Sequence, residues 1–233
     1  MKIILIHGQK HKGSTYHISR ILLDQIHGEN QIKEIFLPDV LKHFCIGCYS
    51  CIENEEKCPF YNEKQQVMAE VEAADLLIFT TPTYCMAPSA IMKTFMDLTF
   101  TCWMPHKPRK CMFNKQAVVI SSAAGMGMKK AIEPISRMLF YWGVPSIQKY
   151  GVAIQAKSWH DVSLKKKQKI KKDMTRLGHM LSKYHPPKVG IKTKLLFNMM
   201  AKMQKSDMGS SLEEKKYWEA MGWLEKERPW KQR

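Results

Sequence analysis

Short apolar runs recur along the first 155 residues, each closed by residues that turn the chain. Ile3-Ile4-Leu5-Ile6 ends at His7-Gly8, Asp75-Leu76-Leu77-Ile78-Phe79 runs into Thr81-Pro82, and Ala117-Val118-Val119-Ile120 runs into Ser121-Ser122. Unbroken apolarity over so few residues suits strands covered on both faces in a parallel sheet. Weaker runs at residues 32–37 and 147–154 bring the set to five. Between them, residues 14–26, 63–73, 89–101 and 129–142 space their apolar side chains near 3.6, which predicts helices. This alternation predicts an α/β doubly wound domain with a five-stranded parallel sheet and a ligand crevice at the carboxyl ends of the strands.

Residues 162–183 keep helical spacing and are expected to close the domain, after which His185-Pro186-Pro187 breaks the chain. The expected division is therefore a domain over 1–185 and a helical, aromatic C-terminal extension over 186–233. In the extension, residues 195–203 interleave Leu, Phe and Met with Lys, and the stretch from Ser211 carries Tyr217, Trp218, Trp223 and Trp230. It is too aromatic for a disordered tail and is expected to pack across a dimer or to lid the crevice.

Charge modifies this picture. The 233 residues hold 37 Lys and Arg against 21 Asp and Glu, a net of +16, and a net of +12 of that excess lies from residue 157 onward. An excess of this size raises binding to nucleic acid or another anionic surface as an alternative function. The basic residues lie on helices of mixed composition, however, where a solvated face is the ordinary explanation, so nucleic acid is not the expected partner. No run reaches the roughly 20 apolar residues needed to span a bilayer. The apolar N-terminal run is too short for a signal-peptide core, so the seven cysteines are expected as reduced thiols in a cytoplasmic protein.

Three loops fall on the crevice side of the expected sheet. Gly8-Gln9-Lys10-His11-Lys12-Gly13-Ser14-Thr15 joins the first strand to the first helix, and a helix N-terminus there offers unpaired N–H groups and a favourable dipole to a single phosphate. The loop matches neither the Walker nor the dinucleotide fingerprint. Thr81-Pro82-Thr83-Tyr84-Cys85-Met86-Ala87-Pro88-Ser89 and Ser121-Ser122-Ala123-Ala124-Gly125-Met126-Gly127 follow the third and fourth strands, where a planar ring can rest on backbone and on Tyr84. Each of the two, taken alone, also reads as an ordinary loop.

A fourth segment is rich in thiols. Cys45, Cys48, Cys51 and Cys58 follow a C-x2-C-x2-C-x6-C spacing with Pro59 next, a pattern that suits an iron-sulfur cluster or zinc. The same residues suit a redox disulfide or small buried apolar groups.

Together these motifs resemble the flavodoxin-like NAD(P)H-dependent oxidoreductases, the group that includes the NADPH-dependent FMN reductases and the iron-sulfur flavoproteins. The resemblance covers about the first 155 residues: the glycine loop, the cysteine stretch, Thr81-Pro82-Thr83-Tyr84 with the helix Lys93-Thr94-Phe95-Met96-Asp97, and Ser122-Ala123-Ala124-Gly125. It implies non-covalent FMN, NAD(P)H as co-substrate, a small electron acceptor such as a flavin or quinone, and a homodimer or dimer of dimers. By position it places Gln9, Lys10, His11, Gly13, Ser14 and Thr15 around the FMN phosphate, Pro82, Thr83, Tyr84, Cys85 and Met86 beside the ring, and Ala123, Ala124 and Gly125 on its other side. Gln9 and His11 stand where the group usually has Ser and Arg. A 4Fe-4S cluster on Cys45, Cys48, Cys51 and Cys58, making the protein an electron carrier, is the alternative the resemblance leaves open. No catalytic side chain is assigned; Tyr84 and Cys85 are the nearest.

Overall fold

The computed structural model describes residues 1–182, 186–206 and 211–231. Five parallel strands, β1 (Lys2–His7), β2 (Gln31–Phe36), β3 (Leu76–Pro82), β4 (Gln116–Ala123) and β5 (Ser146–Ala153), form one sheet in the order β2-β1-β3-β4-β5. This is the flavodoxin-like order, and the strand sequence reverses between β1 and β3. The helices are α1 (Ser14–Leu23), α2 (Leu37–Val40), α3 (Ser50–Glu53), α4 (Tyr61–Ala73), α5 (Ala90–Leu98), α6 (Met128–Trp142), α7 (Leu164–Ser182), α8 (Ile191–Lys205) and α9 (Leu212–Ala220).

The apolar runs work on both faces because successive strand side chains point to opposite sides. Ile3, Leu5, Leu76, Ile78, Val118 and Ile120 pack with Ile18, Leu22, Ile170 and Met174 of α1 and α7. Ile4, Ile6, Leu77, Phe79, Ala117 and Val119 pack instead with Val67, Phe95, Ile135, Leu139 and Trp142 of α4, α5 and α6. The close approach of α7 to α1 depends on Gly178, where a Cβ would stand 2.5 Å from Gln25 Cβ.

Two boundaries differ from the sequence pattern in an informative way. β3 and β4 run on past their apolar cores to Pro82 and Ala123, because the hydroxyl-bearing residues there continue the ladder, Thr81 opposite Ser121 and Pro82 opposite Ser122. The helix expected over 89–101 stops at Leu98, and Phe100–Cys102 tightens into a 3-10 turn. At that end the Thr99 hydroxyl donates to the Phe95 carbonyl at 2.7 Å, a local bond that competes with helix continuation.

The expected domain boundary at residue 185 lies outside the described residues. Among the described residues, none of the extension reaches the crevice; its aromatic side chains turn instead onto the body of the same chain. Phe197, Met200, Trp218 and Trp223 pack with Met104 and Phe113 of the same chain, forming a third core. Polar bonds fix the docking: Trp218 Nε1 donates to the His106 carbonyl at 2.6 Å, Tyr217 Oη to the Pro108 carbonyl at 2.7 Å, and Gln204 Nε2 to the Pro105 carbonyl at 2.9 Å. Met104 and Phe113 are the side chains of the body that the aromatic residues of the tail cover.

Candidate functional site

The loops at the carboxyl ends of β1, β3, β4 and β5 surround a crevice of about 670 Å³. Its walls include Gln9, His11, Gly13, Ser14 and Thr15 from the first loop, Pro82, Thr83 and Tyr84 from the second, and Ala123 and Ala124 from the third. Four residues expected there are not wall residues. Lys10 is drawn outward into an ion pair with Asp39 at 2.6 Å. Cys85 and Met86 form the tip of the adjoining turn, and Gly125 stands with nothing within 4 Å of its Cβ position.

At the β1 end the chain builds an anion cradle. The first bond of α1 runs from the His17 N–H to the Gly13 carbonyl, so the N–H groups of Ser14, Thr15 and Tyr16 have no partner among the described residues. No acidic side chain occupies the first turn of α1 to meet them. Gly8 lets the loop pass close to Ser89, whose hydroxyl donates to the Gly8 carbonyl at 2.5 Å, and a Cβ on Gly8 would stand 2.7 Å from that oxygen. The helix start is held to the sheet by a 2.5 Å hydrogen bond between the hydroxyls of Thr15 and Ser122.

The turn at the mouth is unusual. Tyr84 and Ala87 exchange both backbone bonds, and the two residues between them, Cys85 and Met86, have φ of 48° and 64°. A two-residue turn of this hand is normally made by Asn-Gly, and holding larger residues there costs of order 1 kcal/mol or more each. Gly127, at φ 97°, makes room for it, since a Cβ there would meet Met86 Sδ at 2.7 Å. Such strain is characteristic of functional loops.

Several wall residues carried no signal in the apolar pattern. His7 ends β1 and is 2% exposed. Its ring stacks on Phe36 at 4.5 Å and bonds to the Thr80 hydroxyl through Nδ1 at 2.8 Å and to the Glu34 carboxylate through Nε2 at 2.9 Å. Burial outweighs Glu34 and holds the imidazole below its ordinary pKa of 6.5, so it is neutral at pH 7. Ile154, Gln155, Ala156 and Lys157 close the far side. Gln155 has φ 56°, and its N–H donates to the Ala124 carbonyl at 2.9 Å, a connection between β5 and the third loop that only the register of the strands reveals. Among the described residues no Asp or Glu lines the crevice, whereas His7, His11 and Lys157 do.

The cysteine stretch lies apart from this wall. Cys45 and Cys48 are exposed, Cys51 is buried and Cys58 is half-buried. Bonds from Ser50 pull the Cys48 thiol below its usual range, and burial pushes Cys51 up. Among the described residues no group of three or more His, Cys, Asp or Glu is gathered to hold a metal ion. The stretch is fastened to the body. Glu55 accepts from Arg109 at 2.6 Å and from buried Lys64 at 3.3 Å, and Lys107 Nζ caps the Ile52 carbonyl at 2.6 Å. Burial alone would raise the Glu55 carboxyl, but Arg109 and Lys64 hold it below its ordinary 4.5.

A doubly wound sheet with an acid-free crevice at its switch point, and a phosphate-sized cradle at the first turn, is the architecture of a nucleotide-type cofactor protein. The chain belongs to the NADPH-dependent FMN reductase family, whose model matches residues 1–158. An iron-sulfur flavoprotein of Methanocaldococcus jannaschii is 34% identical over 99 residues, which cover 42% of this chain and 51% of that one. The chain spans about half the length of the curated relatives it matches. In fold it is similar to an azoreductase from Bacillus anthracis, with a TM-score of 0.59 at 10% identity, covering 79% of this chain and all of that one. An FMN-dependent NADH-azoreductase from the same species, solved in complex with FMN, gives 0.57 at 12% identity over 78% of this chain and 100% of the other.

Proposed function

We propose that the protein is an FMN-dependent oxidoreductase that takes electrons from NAD(P)H and passes them to a small acceptor such as a flavin, a quinone or an azo compound. The observation that carries this reading is the set of unpaired N–H groups of Ser14, Thr15 and Tyr16 on the wall of a crevice that holds no carboxylate. The residues present fit FMN: one end is a cradle for a single phosphate, and the remaining walls are Pro, Ala, Thr and Tyr with backbone exposed between them. The volume lies within the range of small-ligand sites.

The amides of Ser14, Thr15 and Tyr16 would hold the phosphate, and the dipole of α1 would favour its charge. Pro82, Thr83 and Tyr84 on one side and Ala123 and Ala124 on the other would flank the ring, with Tyr84, half exposed, at the mouth. Bound FMN supplies the redox chemistry, accepting hydride from a reduced nicotinamide and releasing electrons to the acceptor. The chain contributes orientation and fixed dipoles; no side chain of the wall is required as an acid or base. Thr83 is locked by a 2.9 Å hydrogen bond to Ser121, which fixes the wall before any ligand arrives. A homodimer belongs to the same reading and is checked by light scattering.

The experiment is the absorbance spectrum of the purified full chain, reconstituted with FMN and gel-filtered, followed by NADH and NADPH oxidation under azo-dye or quinone acceptor. Stoichiometric flavin released on denaturation is expected, with acceptor-dependent turnover. A chain that quenches no FMN fluorescence and retains no flavin would overturn the reading.

A further inference from the structure

The exposed face of α8 is left unexplained by the crevice and by the third core. Thr193, Phe197, Met200, Ala201 and Gln204 are its buried side. On the opposite side Ile191, Leu195, Met199 and Met203, spaced by four, are 76%, 65%, 52% and 39% exposed. Residues at this spacing share one ridge of a helix about 22 Å long. Large apolar side chains lined up in water are a cost that a folded protein retains where another phase or partner covers them.

The charge around the ridge identifies what covers it. The α8 sequence, IKTKLLFNMMAKMQK, holds no Asp or Glu and four Lys. Lys205 pairs with Glu225 at 3.1 Å, whereas Lys192, Lys194 and Lys202 have no ion pair among the described residues. By helical angle Lys192 and Lys202 fall within the apolar ridge itself and Lys194 at its flank. At the Ile191 end, a recess of about 450 Å³ runs between Gly190 and Thr193 and the side chains of Arg137, Phe140 and Lys149. Its one acid, Glu133, is neutralised by Arg137 at 3.2 Å.

A second copy fits this face poorly. A two-fold contact sets a patch against itself, so three unpaired lysines would meet three more with no acid on α8 between them. A surface that is apolar in depth and negative at its boundary matches both features, because the lysine stems lie along apolar surface while their ammonium groups reach outward. We propose that α8 docks the protein on an anionic lipid surface, with Ile191, Leu195, Met199 and Met203 among the acyl chains and Lys192, Lys194 and Lys202 at the headgroups. Fifteen residues with four lysines lie in the interface and do not cross it, in keeping with the absence of any membrane-length apolar helix among the described residues.

The test is co-sedimentation of the full chain with vesicles of mixed phosphatidylglycerol and phosphatidylcholine, against vesicles of phosphatidylcholine alone. Partitioning roughly a hundredfold stronger onto the anionic vesicles is expected, the factor that three lysines supply at such a surface, and it should weaken with salt. The double variant Leu195→Glu, Met199→Glu alters only exposed positions; it should keep the wild-type circular dichroism and lose the partitioning. Lys192→Glu with Lys202→Glu should lose it as well. Equal sedimentation with both vesicle types, or undiminished sedimentation of the Leu195→Glu, Met199→Glu variant, overturns the proposal. So does light scattering that shows a wild-type dimer which this variant splits into monomers, since the face then belongs to a second copy.

Discussion

The hydroxyls of Thr15 and Ser122 meet at 2.5 Å, joining the start of α1 to the end of β4 across 107 positions of sequence. Both residues are buried, and both stand on the wall of the crevice. The bond therefore links the phosphate cradle to the loop that would lie beside the flavin ring, and it fixes the spacing between two parts of one ligand. Replacing Thr15 by Val keeps the shape, removes the bond and leaves the Ser122 hydroxyl short of a partner. The expected loss is about 1 kcal/mol, seen as a fall of roughly 2–4 °C in Tm and an FMN affinity weaker by about fivefold. Thr15→Ser, which restores the hydroxyl, should recover most of both. Unchanged FMN binding in Thr15→Val, measured by fluorescence quenching, would separate the bond from the site.

His7 gives the fold a pH dependence of known sign. Its folded pKa lies below 6.5 because burial disfavours the imidazolium, and the unfolded chain titrates at the ordinary value. Well above 6.5 neither state holds the proton and His7 contributes no slope. As pH falls below 6.5 the unfolded chain takes up the proton first, so stability declines with a slope of at most about 1.4 kcal/mol per pH unit. Urea midpoints across this interval should fall more steeply for the wild type than for His7→Gln. The absolute stability of the variant is not the readout, since it also loses the bonds to Thr80 and Glu34. Parallel curves would place the titration elsewhere, His17 being the next histidine lowered by burial.

Trp218 tests what the extension is for. It is fully buried against Phe197 at 4.8 Å and Trp223 at 5.4 Å, and its N–H ends on the His106 carbonyl. The segment it grips also carries Lys107 and Arg109, which hold the cysteine stretch through Ile52 and Glu55. Trp218→Ala should cost about 3–5 kcal/mol and increase proteolysis of residues 45–58 before the sheet unfolds. FMN affinity of the milder Trp218→Phe should match the wild type, because none of the described residues of the extension lines the crevice. A tenfold loss of flavin in Trp218→Phe would show that the extension reaches the site by another route.

The sheet was legible in the sequence because its strands are buried on both faces: Ile3 to Ile6 and Ala117 to Ile120 have no polar position to confuse with an exposed edge. The crevice loops were legible for a related reason, since topology sends every strand end to the same side. His7 and Gln155 were not. Each adjoins a strand end with no pattern of its own, and it is the register, His7 opposite Phe36 and Ala123 opposite Ala153, that puts them on the wall. The outward turn of Lys10 is not legible, because its partner, Asp39, lies in α2, a four-residue helix too short to leave a periodicity. The aromatic content of the tail points to an ordered segment, but composition alone does not say which side chains, here Met104 and Phe113, it packs on.

Met86 carries the clearest local conflict between residue and backbone. It sits at φ 64° in the turn beside the crevice, next to Cys85 at 48°, in a conformation that glycine adopts without penalty. Both side chains are exposed, so little packing offsets the cost. Met86→Gly is therefore expected to stabilise the folded chain by about 1 kcal/mol, raising Tm by roughly 2–4 °C, despite the greater entropy of glycine in the unfolded state. The accompanying change in function decides whether the strain is used. If the turn is held rigid to present Tyr84 at the mouth, Met86→Gly should raise the KM for the acceptor while FMN affinity, set at the far end by Ser14 and Thr15, stays the same. A variant that is neither more stable nor altered in KM would mean that the turn is relaxed as it stands.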